Sequence, residues 1–239
     1  MTGTADLSGR LVLVAGASGG TGQHLLRLLI RSGARVRALS RSAATVDRLS
    51  STPGVTEAMV GDLLEDHDCR EAVTRVDAVL CAVGPATDPR SLFFGDLVDS
   101  GGSPRLIRAA QDAGVDHFVY TSTIGVGDSA AGMGAFDRMI LRRSLTAKGR
   151  AEEELRQARM AHTILRPARL TNDGASGDVL VSTGGRTTSG KISRIDVARL
   201  MVSALATPAA RDRTFEIVDR RRARGAVAEA DIAWAPVEA

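Results

Sequence analysis

The segment that most constrains this chain is Leu11-Val12-Leu13-Val14-Ala15, followed at once by Gly16-Ala17-Ser18-Gly19-Gly20-Thr21-Gly22. An unbroken apolar run ending in glycine reads as a strand buried on both faces of a parallel sheet. Gln23 to Ser32 then shows helical periodicity, with Leu25, Leu26, Leu28, Leu29 and Ile30 on a broad apolar face and Gly33 as the stop. Gly16, Gly19 and Gly22 are therefore spaced through a tight strand-to-helix turn. Such a turn lets backbone approach an anion closely and aims free helix N–H groups at it. A pyrophosphate is the anion that this geometry suits, with Gly20 adding backbone room and Ser18 and Thr21 adding hydroxyl donors.

The pattern continues in the same sense. Strands are expected at 34–39, 55–60, 76–83, 115–121 and 161–165, with helices at 65–74, 104–113 and 141–159 between them. Strand and helix in alternation predict a Rossmann-like, doubly wound parallel sheet with helices on both faces. After Pro167 the pattern changes. Residues 171–177 are turn-rich, 179–182 and 186–188 read as short strands, 194–206 as an amphipathic helix and 214–218 as a last strand. This stretch is too short for its own core. Residues 1–239 thus read as one domain, in which 168–239 supply a small C-terminal, substrate-side part.

Composition excludes several classes. At 44% hydrophobic and 25% charged, the chain is neither disordered nor fibrous. No apolar run reaches the ~18 residues of a membrane span, and the polar first residues lack a signal-peptide core. Cys69 and Cys81 have neither metal-ligand nor redox spacing, so a reduced, cytoplasmic protein without a metal is expected. The net charge of +3 is mild. Its one dense run, Arg220-Arg221-Arg222-Ala223-Arg224, reads as a solvated face, and no nucleic-acid or membrane partner is expected. The four histidines read as packing or surface residues.

The second strand ends at Ser40-Arg41-Ser42, about 20 residues past the last glycine, where an acid holds the ribose 2′-OH of NAD and an arginine accommodates the 2′-phosphate of NADP. No acid lies there, so NADP(H) is the expected cofactor. Asp62, followed by Leu63, is placed near the adenine amine. Cys81-Ala82-Val83-Gly84 ends the fourth strand with residues small enough for a cofactor to lie against.

These residues, with Phe118-Val119-Tyr120-Thr121-Ser122-Thr123, Lys148, Glu152 to Leu155, Thr163 to Pro167, Ser193 to Ala198 and Thr214 to Val218, resemble the short-chain dehydrogenase/reductase superfamily. More narrowly, they resemble its atypical NAD(P)-binding branch of NmrA-like proteins and biliverdin-IXβ reductase. The resemblance covers most of residues 9–219. It implies a nicotinamide cofactor, with Thr121 and Pro167 added to its contacts. It puts Thr123 at the carbonyl-polarising position, with Ser122 beside it, and Lys148 at the ribose-binding position. The position of the proton-donating tyrosine is Ser144. The chain has a single tyrosine, Tyr120, which lies on the fifth strand and cannot serve by spacing.

Without that tyrosine, ketone reduction loses a general acid that typically contributes about 10²–10⁴-fold. Conjugated carbonyl, quinone and flavin-type acceptors are favoured, with Ser144, Thr123 or water completing protonation. The expected function is an NADPH-dependent reductase of such a small molecule, working as a monomer or homodimer. An NADP(H)-sensing regulator and a non-redox cyclase, dehydratase or isomerase are the alternatives. Phe93 and Phe94 are expected on one wall of the substrate site. Met133 and Phe136, with Met139, are expected on the other, carried by a glycine-rich loop at 125–136 that reads as a lid.

Overall fold

A computed structural model describes residues 5–84, 98–183, 189–225 and 229–237, without the side chains of 98–100, 131–132 and 135–137. Phe93, Phe94 and the strand expected at 186–188 lie outside these residues, and Phe136 is described only in its backbone.

The first five strands are β1 (Leu11–Ala15), β2 (Arg35–Ser40), β3 (Val55–Val60), β4 (Ala78–Cys81) and β5 (His117–Thr121). Then come β6 (Ala161–Pro167), β7 (Arg169–Thr171), β8 (Val179–Ser182), β9 (Lys191–Ser193) and β10 (Arg213–Asp219). The helices are α1 (Gly20–Arg31), α2 (Ala43–Ser50), α3 (Asp66–Val73), α4 (Val98–Asp112), α5 (Ala135–Gln157) and α6 (Arg194–Leu205). Eight strands form one sheet in the order β3-β2-β1-β4-β5-β6-β10-β8, parallel throughout except for β8. A separate parallel pair joins β7 to β9.

The strict alternation of strand side chains creates two cores. Val12, Val14, Val36 and Val119 face the layer of α1 and α6. Leu11, Leu13, Phe118 and Tyr120 face the layer built on Cys69, Leu106, Ile107, Ala151 and Leu155 of α3, α4 and α5. The central strands β1 and β4 are apolar on both sides because each side meets a helix. Arg37 is one of several polar residues buried in the sheet, 7% exposed within β2. It bonds Glu57 at 2.6 Å and donates to the Ala72 and Thr74 carbonyls at 2.9 and 2.8 Å, closing the carboxyl end of α3.

Some boundaries differ from expectation. Helix α2 was not expected. Ser42 caps it, accepting from Thr45 N at 3.4 Å. The turn-rich stretch after Pro167 begins with β7, because Arg169 N and Gly190 O pair at 3.2 Å across a long loop. Helix α4 starts at Val98, six residues before the proline taken as its beginning, with Pro104 inside it.

Candidate functional site

In the sheet order, the chain leaves β1 toward β2 on one side and reaches β4 on the other. A crevice opens at such a reversal, beyond the carboxyl ends of the strands. The expected residues converge there. Gly16 follows β1, Arg41 follows β2, Gly61 and Asp62 follow β3, and Ala82, Val83 and Gly84 follow β4.

The glycine turn shows which of its glycines are physically required. Gly16 has φ +85°, and a Cβ there would lie 2.9 Å from the Ala82 carbonyl oxygen of the neighbouring strand. At Gly22 a Cβ would sit 2.1 Å from Gly16 O and 2.8 Å from Ala17 Cα. Contacts that short exclude any side chain. Gly19 closes the turn, its N–H donating to Gly16 O at 3.0 Å, and its own side contributes no cap to α1. No N-cap side chain therefore takes up the N–H groups of the first helical turn, and that turn holds no acidic side chain. Thr21 is buried under this turn and Ser18 is exposed on it. Gly20 had another reason to be small that no sequence rule supplies. The Arg194 side chain, from the start of α6, lies across it, with Cδ only 2.7 Å from where a Cβ would stand.

At the end of β2, Ser40 is buried and Arg41 is exposed, with no ion pair among the described residues. The Ser42 hydroxyl serves α2 as its cap. Asp62 shapes its own loop, accepting from Leu64 N at 3.0 Å, while its N–H donates to Asp68 at 2.7 Å. Leu63 is buried in the core.

On the other side of the crevice, Lys148 of α5 is 6% exposed. Its Nζ donates to Thr121 O at 3.0 Å and Val83 O at 3.3 Å, and stands 5.2 Å from the centre of the Tyr120 ring. One ammonium thus ties the carboxyl ends of β4 and β5 together. Tyr120 points into the core below it. The Thr121 hydroxyl bonds Met201 Sδ at 2.9 Å, so what Thr121 presents to the crevice is its backbone.

Ser122 turns inward as well. Its hydroxyl donates to Glu152 Oε1 at 2.5 Å. Glu152 is wholly buried and is held by Arg166 through two bonds of 2.9 and 2.7 Å and by Arg156 at 2.6 Å. Arg166 reaches on to Asp128, in the short 3₁₀ turn at Gly127–Gly132, at 2.5 Å. Burial opposes the Arg166 charge, yet its bonds to Glu152 and Asp128 raise its pKa further. Burial also opposes ionisation of Asp128, and the Arg166 contact outweighs it, holding the carboxyl below the usual range. This network locks the end of β5 to α5, β6 and the loop. Glu152 and Arg166 belong to the family-like segments, but their pairing across the fold left no local signal.

Thr123 stands just past this lock. With Ile124, Met133, Leu141 and Pro167 it lines a cleft of about 1140 Å³. Ser144 lies half-buried on α5, one turn before Lys148, and is not among the residues lining that cleft. Met139 is 67% exposed on the outer side of α5. The arginine run is exposed, as expected of a solvated face, and Arg221, Arg222 and Arg224 also line the same cleft.

A doubly wound parallel sheet, a glycine turn against its central strand and a crevice at the strand-order reversal together define a Rossmann-type dinucleotide-binding protein. The chain belongs to the NAD(P)H-binding family, whose model matches residues 16–208, within the atypical branch of the short-chain dehydrogenase/reductases. An uncharacterised chloroplastic protein of Arabidopsis thaliana is 31% identical over 220 residues, 89% of this chain and 78% of that one. The chloroplastic protein TIC 62 of Pisum sativum is 28% identical over 218 residues, 83% of this chain but only 40% of that longer one. Among solved structures, a Bacillus halodurans protein provisionally named an NAD-dependent epimerase/dehydratase superposes with a TM-score of 0.76 at 30% identity, covering 88% of this chain and 94% of that one.

Proposed function

We propose that this protein is an NADPH-dependent reductase of a small conjugated carbonyl, quinone or flavin-type substrate. The observation that carries the reading is the placement of Lys148. It is a buried ammonium at the crevice wall, held on the Val83 and Thr121 carbonyls two residues from Thr123. A protein that only sensed the nucleotide has little use for such a cation at the nicotinamide end.

The residues fit the cofactor. The turn at Gly16 and Gly22 is a cradle that any Cβ would fill. The first-turn N–H groups of α1 receive the pyrophosphate, and the exposed Arg41 receives the 2′-phosphate. Ser40 and Ser42 would flank that phosphate, Asp62 would border the adenine end with Leu63 packed beneath it, and the backbone of Cys81–Gly84 and Pro167 would border the middle and nicotinamide end. When bound, the nicotinamide supplies a hydride equivalent. The chain does the remainder. Lys148 holds the ribose, Thr123 orients the acceptor oxygen, and the Glu152–Arg166 network keeps Thr123 from drifting. Effective catalysis from positioning alone explains how the site works without tyrosine. The proton comes ultimately from water, relayed by the Thr123 hydroxyl, because Ser144 does not line the cleft. Met133 and Leu141 supply an apolar wall for a flat acceptor.

Both cysteines are buried and neither is in a disulfide. Burial is the main cause that pushes the Cys69 thiol up to about 11, leaving it inert. These features suit a reducing compartment such as the cytoplasm. No helix among the described residues is long and apolar enough to cross a membrane.

The test is NADPH oxidation followed at the nicotinamide absorbance band against quinones, flavins and enones. Turnover of one class supports the reading. Tight NADPH binding with no oxidation across the panel overturns it in favour of a sensor, and product formation without absorbance change favours non-redox chemistry.

A further inference from the structure

The cleft beside Thr123 is apolar where Ile124, Met133 and Leu141 line it and strongly basic elsewhere. Five cations line it: Arg169, Lys191, Arg221, Arg222 and Arg224, against one carboxylate, Asp173. Arg222 neutralises that carboxylate at 2.5 Å. Arg169, Lys191, Arg221 and Arg224 have no ion pair among the described residues.

This charge is built in rather than trailing. Arg220 is spent as an anchor, on Asp178 at 2.9 Å and on Glu229. Asp219 caps the following turn, accepting from Arg221 N at 3.0 Å. Arg224 pairs through its backbone with Ser189 at 2.9 and 3.0 Å. Gly190 has φ +146°, and a Cβ there would stand 2.3 Å from Arg222 O, so the two segments touch backbone to backbone. Arg169 and Lys191 face each other in register across the β7–β9 pair. Like charges in register repel, and an anion between them removes the penalty. A cleft walled by one sign of charge also focuses its field inward.

We propose that the substrate carries an anionic group, a carboxylate or a phosphate, which Arg169, Lys191, Arg221 and Arg224 hold while the reducible part lies against Thr123. The substrate's role as a hydride acceptor rests on the reductase reading above. The anion site does not.

Calorimetry separates the two. The probes are 2-naphthoate, 2-naphthyl phosphate and neutral 2-naphthalenemethanol, titrated into the protein with and without NADPH. The expected result is binding of at least one anion about tenfold or more tighter than the alcohol, weakening as salt rises. The tighter anion names the source. Combined Arg221→Ala and Arg224→Ala should abolish the preference, and both residues are exposed enough for the fold to survive. Equal binding of all three probes, no binding of either anion, or an unchanged preference in the double variant would overturn the proposal. Anion binding without NADPH oxidation on the quinone and enone panel keeps the site and removes the reductase. Oxidation that ignores substrate charge does the reverse.

Discussion

Glu152 of α5 and Arg166 of β6 meet in a two-pronged ion pair with 0% and 2% of their side chains exposed. The carboxylate also receives Ser122 and Arg156, so both of its oxygens are saturated. Burying two charges is tolerable only with this degree of satisfaction. Removing either partner alone, as in Glu152→Gln or Arg166→Met, should destabilise the fold by about 3–5 kcal/mol. The double variant Glu152→Gln/Arg166→Met should cost less than the sum of the two. Urea unfolding of the four proteins, read as a double-mutant cycle, checks this.

Gly22→Ala places a methyl group where the Gly16 carbonyl already is. The turn must open to accept it. NADPH affinity should fall about tenfold or more, equivalent to at least ~1.4 kcal/mol. Titration of cofactor fluorescence measures it, and an unchanged affinity would mean the dinucleotide does not use this turn.

Arg41→Asp should discriminate between cofactors. Loss of a charge-assisted contact with the 2′-phosphate costs NADPH about 1.5–3 kcal/mol. NADH lacks that phosphate and should bind unchanged or better. Equal losses for both cofactors would remove Arg41 from the 2′-phosphate site.

Lys148→Met keeps the aliphatic stem and deletes the ammonium that joins Val83 O to Thr121 O. The crevice wall loosens by a small displacement, which can lower the rate about 10²-fold. Lys148→Arg should restore little, because a planar fork does not reproduce a point charge on two carbonyls. Steady-state kinetics should show the loss in kcat, with circular dichroism close to that of the parent.

His117 sets part of the acid limit. Thr163 gives its hydroxyl hydrogen to Ala210 O at 2.8 Å, so His117 Nε2, 2.9 Å away, must carry the proton and donate. Its Nδ1 is buried with no hydrogen-bond partner among the described residues. Burial is the main cause lowering its pKa from 6.5 to about 4. A depressed histidine pKa means the unfolded chain binds the extra proton first. Its contribution to stability is therefore complete above about pH 6.5 and is lost as the pH falls toward 4, amounting to on the order of 3 kcal/mol. Thermal unfolding at a series of pH values should show this slope, and His117→Gln should flatten it.

The alternation of buried strands and amphipathic helices, the glycine turn and the missing tyrosine are local facts, and the sequence by itself determined them. Periodicity and glycine stereochemistry act within a few residues, so β1, α1 and the parallel sheet were legible from spacing alone. What needed tertiary structure were the contacts that join distant segments. Ser122 turns away from the crevice only because Glu152, thirty residues on, is held by Arg166. A side chain at Gly20 would have to displace Arg194, which crosses it from the start of α6. The arginine run at 220–224 is the solvated face its sequence indicates, but it also borders the cleft, because Ser189 pairs with Arg224 from another part of the chain. Charge is the property least legible in sequence, since its meaning depends on which opposite charge and how much water the fold brings to it.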